Sequence, residues 1–258
     1  IFQNISNVAD LGSIRSARKY YIDVALGYGA AYVHAGGSEE ALAYLSQLKG
    51  MDLNGQMGEN NEFYYDENRV AAGYPSSYSY FTTGKKVVKF ADRLGVSLQL
   101  DAEPSFGLVF DDEKTLTGEA AGKVTVYFNM GGNPGAWTKS TTLTYDAESK
   151  HYFAEQHGEE YVDGNDEKQI SFRNILVLKA ATQLQTGAAG EAGLLTIETT
   201  GTGEGWFLRD GQKVAITWSR ASVNEPFVYK TADGEVITLG VGSTYCAIVP
   251  TNSTTVFE

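Results

Sequence analysis

The stretch DDEKTLTGEAAGKVTVYFN, Asp111–Asn129, decides how the chain is read. Its first half is charged and contains glycine, as a linker does; its second half opens a run of strand-like segments. Upstream, apolar residues recur at helical spacing. Downstream, short segments rich in β-branched and aromatic residues follow at close intervals, among them QISFRNILVLKA, GWFLRD, KVAITWSR and TYCAIVP. Asp210-Gly211 and Asp233-Gly234 read as hairpin turns between them. The expected fold class is α+β. An N-terminal α/β layered domain over residues 1–112 is followed by a mostly antiparallel, β-rich domain over residues 113–258.

In the N-terminal part, Ser13 or Ser16 is a fair cap for a helix carrying Ala17, Tyr20, Tyr21, Val24 and Ala25 on one face. Gly27 and Gly29 stop it. AAYVHA (30–35) reads as a short strand. From Ser38, the positions Ala41, Leu42, Leu45 and Leu48 make an amphipathic stripe that ends at Gly50. A further helix, GKKVVKFADRLG, places Val87, Phe90, Ala91 and Leu94 together.

The net charge of −12 over 258 residues disfavours nucleic acid, whose phosphates are met by clustered Lys and Arg. The sequence holds no apolar run of about 18 residues, as a membrane-spanning helix needs. It starts at IFQN without an initiator Met, which reads as a mature or trimmed product. Cys246 is the single cysteine, so neither an internal disulfide nor a cysteine metal site is expected.

Several motifs fail on their chemistry. GEAAGKV (118–124) is one residue short of a phosphate-binding loop and has Val124 where a Ser or Thr should hold Mg²⁺. GYGAAY (27–32) lacks the third glycine of a dinucleotide fingerprint and precedes a strand. DGNDEKQISFRN (163–174) lacks the Gly and the closing Glu of a calcium loop, and reads as a solvated hairpin turn. The three histidines, His34, His151 and His157, have no metal-ligand spacing, and no cofactor is implied. Trp137, Trp206 and Trp218 read as anchors of a β core.

Two places remain. In SIRSARKYY, helical spacing would put Arg15, Arg18 and Lys19 on one face of a helix's first turn, where the macrodipole opposes positive charge. Either the chain's own carboxylates offset them, or the arginines await an anionic ligand, since their forks match carboxylate and phosphate. In YVHAGGSEEA (32–41), Gly36 and Gly37 read as a turn and Ser38 as a helix cap. An anion cradle is the lesser reading there, because Glu39 and Glu40 already satisfy the helix start. His34 ends the strand, where ligands of α/β layers often sit.

These residues carry a resemblance. GSIRSARKYY and YVHAGGS are similar to the N-terminal signature of the YerB-like family, bacterial proteins of unknown function described as lipoproteins. Family members have Ile-Gly-Pro-(Ile/Val)-Arg-Ser-Ala-Arg, then Tyr-Val-His-Ala-Gly-Gly-Ser; here Ser13 replaces the Pro. FYYDENRVAAGYPSS (63–77) resembles a further family segment, and adds Arg69 to the candidates; the family's His-Asn turn is absent from it. The later strands resemble the family's C-terminal domain, with Ala154 where Arg is usual.

The resemblance implies an exported protein held to the membrane by an N-terminal lipid on a Cys upstream of Ile1, with a preceding strand also upstream. It implies no reaction. The expected function is an extracytoplasmic binding or scaffolding module of the cell envelope, non-catalytic. Its ligand is expected to be an anionic small molecule or envelope component at Arg15, Ser16, Arg18, His34, Gly36, Gly37, Ser38 and Arg69. No catalytic or metal-ligating residue is assigned, and a protein partner is a further expectation. The alternatives are an enzyme on cell-envelope polymers with His34 as acid/base, and a purely structural interaction protein. The first needs His34 in an open cleft; the second needs an exposed apolar patch or strand edge.

Overall fold

The structure, a computed structural model, describes residues 1–2, 4–100, 106–135, 138–185 and 193–258. The fold is α+β with a β-rich domain. The described residues divide into two compact units: one of residues 1–100, 193 and 223–225, the other of residues 106–185, 194–222 and 226–258.

The first unit carries four helices, α1 (Lys19–Gly27), α2 (Glu39–Leu45), α3 (Glu67–Ala71) and α4 (Gly84–Leu94). Thr83 caps α4 by accepting from the Lys86 amide, and Gly95 ends it at φ 69°, the left-handed geometry a glycine takes without strain. Its apolar stripe does what the spacing predicts. Val87, Phe90 and Ala91 are buried with Leu53, Phe63 and Val96, at roughly 1.5–3 kcal/mol for each large side chain. The strand Asp10–Gly12 pairs antiparallel with Tyr80–Thr83, which pairs with Tyr64–Tyr65. Separately, Tyr32–His34 runs parallel to Asp52–Asn54.

Helix α1 differs from its expectation. It starts at Lys19, and the side chains it buries are Ile22, Asp23 and Ala25, while Tyr21 is exposed. The residues ahead of it, Arg15–Ala17, are held by backbone bonds to Ala35–Ser38 and cannot join the helix. Arg15 and Arg18 therefore do not share a helical face with Lys19. Lys19 instead pairs with Asp23 one turn on, at 2.7 Å.

The second unit packs two sheets on one core. The first sheet runs, in spatial order, Glu159–Glu160, His151–Gln156, Ser140–Asp146, Lys123–Tyr127 and Thr255–Phe257, with Ser171–Phe172 also pairing with His151–Gln156. The second runs Val228–Thr231, Gln212–Arg220, Gly201–Arg209, Asn174–Ala180 and Thr244–Pro250, its last pair parallel. Val124, Val126, Leu143, Tyr152 and Ala154 from one sheet meet Ile175, Val177, Leu208, Ala247 and Val249 from the other. Alternation in the sequence puts these residues inward. Asn174–Ala180 is buried almost throughout, as its near-continuous apolar run predicts for a central strand.

The Asp210-Gly211 hairpin is a two-residue loop: Arg209 faces Gln212, and both loop residues have positive φ, 56° and 70°. Trp218 is buried and donates its indole N–H to the Lys179 carbonyl at 2.9 Å. It lies so close over Gly203 that a Cβ there would sit 2.5 Å from its Nε1. Trp206 packs on the core beside Phe257; Trp137 lies outside the described residues. The 163–168 segment is an exposed turn, with Asp163 Oδ1 accepting from the Asn165 amide and Val162 bridging Gln169. Cys246 is exposed, on the strand Thr244–Pro250.

Candidate functional site

The two signature segments of the N-terminal unit lie side by side. Ala35 N donates to Arg15 O at 3.0 Å, Ala17 N to Gly36 O at 2.8 Å, and Ser38 N to Ala17 O at 3.2 Å. Gly36 has φ 62°, and its N–H donates to Asn54 Oδ1. Gly37 has no room for a side chain: a Cβ would stand 2.9 Å from Ala17 Cβ. Ser38 then caps α2, accepting from the Ala41 amide, with Glu39 and Glu40 in the first turn. The glycines and the serine thus build a corner and a helix start.

His34 belongs to this corner. Its ring has no solvent-accessible surface; Nδ1 lies 2.8 Å from Gly36 O and Nε2 lies 2.8 Å from Asp52 Oδ1. A carbonyl only accepts, so Nδ1 carries a proton and donates it to Gly36. Tyr32 stacks on the ring at 5.3 Å between centroids, and burial pushes the Tyr32 hydroxyl up to about 12. The acid/base role expected of His34 in the enzyme reading is not available to this geometry. Both nitrogens are occupied and no face is open to a substrate.

The arginines behave differently. Arg15 reaches away from the corner: Nη1 donates to Ser77 O at 2.7 Å, and its guanidinium lies 4.1 Å from the centre of the Tyr78 ring. Arg69, on α3, donates Nε to the next carbonyl, Tyr78 O, at 3.0 Å and stacks on Tyr74 at 4.4 Å. Two cations that are 54 residues apart in the chain therefore meet on one loop. That loop is braced. Tyr78 N and Ser79 Oγ both donate to Pro75 O, Ser79 O accepts from Asp66 N, and Asp66 caps α3.

Among the described residues, neither Arg15, Arg18 nor Arg69 forms an ion pair with a carboxylate. A guanidinium has five N–H donors, and the backbone takes one from Arg15 and one from Arg69. Arg18 turns Nη1 onto its neighbour's carbonyl, Ala17 O, at 2.7 Å, and shares no partner with the other two. Ser16 is exposed between them in sequence. The eight candidates thus separate into a structural group (His34, Gly36, Gly37, Ser38) and a cationic pair (Arg15, Arg69); Arg18 bonds to Ala17 O, the carbonyl that also accepts from Ser38 N, and Ser16 is exposed.

Tyr74, Ser77 and Tyr78 were not singled out from the sequence. The clue available was the density of tyrosines in GYPSSYSY (73–80), a segment too polar for a core. Exposed aromatics beside arginine are a common make-up for a binding surface.

Residues 1–97 match the family described as "Protein of unknown function (DUF3048) N-terminal domain", and residues 133–246 match its C-terminal domain. The chain is 21% identical over 245 residues to "Putative lipoprotein YerB" of Bacillus subtilis (strain 168), covering 93% of this chain and 67% of that protein. The crystal structure of the YerB protein from Bacillus subtilis superposes with a TM-score of 0.78 at 22% identity, over 96% of this chain and 78% of that one. At that identity the likeness establishes the fold. The signature resemblance, the two matched domains and the shared fold agree: the chain belongs to the DUF3048 family of proteins of unknown function.

Proposed function

We propose that this chain is an extracytoplasmic, membrane-tethered binding module that takes an anionic ligand at Arg15 and Arg69. The carrying observation is that both guanidiniums are held on adjacent backbone carbonyls without a carboxylate partner among the described residues, in a chain of net charge −12. Arginine forks fixed by one hydrogen bond and one stacked ring keep donors for a planar anion and have little freedom left to lose on binding it. The tether and the location are supported by the relative's description as a lipoprotein.

Citrate is a suitable first probe. Titrated calorimetrically into the protein, it is expected to bind, and to bind more weakly at high salt, because an exposed cation pair is screened. The Arg15→Gln/Arg69→Gln double variant is expected to lose at least tenfold in affinity while its thermal midpoint stays close to that of the parent. Undiminished citrate binding by the double variant contradicts the assignment.

A further inference from the structure

We infer that the Arg15–Arg69 surface recognises an acidic glycan, with Tyr74 and Tyr78 as stacking platforms for its sugar rings. This rests on the anion reading above and adds a ligand class to it. Tyr74 and Tyr78 are 51% and 48% exposed, and Tyr21 and Tyr65 are similarly exposed in this unit, but Tyr74 and Tyr78 are the pair that stack on Arg69 and Arg15. Each ring of the pair has a guanidinium on one face, Arg69 at 4.4 Å and Arg15 at 4.1 Å. A ring so held keeps its orientation, and about half of each residue remains exposed to a ligand.

A simple anion needs only the guanidinium forks. Two fixed rings, each paired with a cation, suit a ligand that repeats a flat apolar face and a negative charge. Pyranose sugars present such a face in their axial C–H groups, and a uronate adds a carboxylate to each ring. The C–H face would lie on tyrosine and the carboxylate on arginine, so each residue type meets the chemistry it matches. The loop itself is set before binding. Pro75 fixes its entry, and the Tyr78 and Ser79 bonds to Pro75 O close it, which lowers the ordering cost. Single-stranded nucleic acid also combines rings and charge, but its charge lies on the phosphodiester backbone and not on the ring that would stack.

The experiment compares hexagalacturonate, neutral maltohexaose, hexauridylate and citrate against the full chain. Hexagalacturonate is expected to bind at least tenfold more tightly than citrate or maltohexaose. In Tyr74→Leu/Tyr78→Leu the ratio of hexagalacturonate to citrate affinity is expected to fall at least tenfold. In Tyr74→Phe/Tyr78→Phe, which keeps both rings, the ratio is expected to stay. A ratio unchanged by the leucine variant overturns the glycan inference and leaves the anion site standing. Hexauridylate binding more tightly than hexagalacturonate also overturns it. No binding of either citrate or hexagalacturonate overturns the glycan inference and the anion site together.

Discussion

Replacing Asp210 with alanine is expected to destabilise the β-rich unit by about 3 kcal/mol. Asp210 stands between two guanidiniums that the fold has almost removed from water: Arg173 is 5% exposed and Arg209 1%. Its carboxylate accepts from Arg173 Nη1 at 2.7 Å and from Arg209 Nε at 2.9 Å. Arg209 also donates to the carbonyls of Asp111 and Thr238. Without the carboxylate, these cations keep backbone partners but lose their nearest negative charge. The figure is placed at the low end for a broken buried pair because the Asp210 side chain is 16% exposed.

The same residue sets a pH dependence. Burial alone would raise the Asp210 carboxyl, but the hydrogen bond and charge of Arg173, with Arg209 behind them, outweigh it and hold the group below the usual carboxylate range. A group lowered in the folded state stabilises above its unfolded value, about 4, and that stabilisation is lost as pH falls through the folded value. The parent is therefore expected to show a steep acid limb below about pH 4, and Asp210→Ala a shallower one. All three tryptophans lie beyond residue 130, so urea unfolding followed by their fluorescence reads this part of the chain. An unchanged urea midpoint for Asp210→Ala would falsify this account of the Arg173–Asp210–Arg209 cluster.

His34→Ala is expected to cost the N-terminal unit about 2 kcal/mol, from a lost buried ring and two lost hydrogen bonds. The ring holds the Gly36 carbonyl and Asp52 in place and stacks with Tyr32. Gly36 O is also the acceptor that joins the corner to Ala17. The loss should therefore appear first in the short ladder between residues 15–17 and 35–38. Amide hydrogen exchange at Ala17, Ala35 and Ser38 is expected to speed up by roughly thirtyfold, the equivalent of 2 kcal/mol. Parent-like exchange at those three amides would show that His34 does not hold the corner.

The corner was readable because its chemistry is local. Positive φ at Gly36 and a serine three residues ahead of the amide it caps are properties of a few neighbouring positions. The stripe of α4 and the alternation of the β strands were readable for the same reason, since one period exposes one face. The start of α1 was not. Helical spacing from Ala17 onward is genuine, but three backbone bonds to a segment about twenty residues away fix Arg15–Ala17 first. That pairing also moves Arg15 off the helix and toward Ser77, which no spacing rule foresees.

The buried cations were equally hidden. Arg209-Asp210-Gly211 reads correctly as a hairpin turn, and the turn chemistry draws attention from the carboxylate's second task between two arginines. Arg69 entered through the family segment, and its meeting with Arg15 depends on the fold of a loop between them in space. Sequence shows that the cations exist; the structure shows which of them meet a carboxylate among the described residues.

Amide and arginine side-chain chemical shifts during a citrate titration test the central claim most directly. Localised changes are expected at Ser77, Tyr78 and the Arg15 and Arg69 Nε–H groups, with the Gly36–Ala41 amides undisturbed. Changes confined to Gly36–Ala41, at the start of α2, would place the anion on the corner that the account treats as structural, and would contradict it.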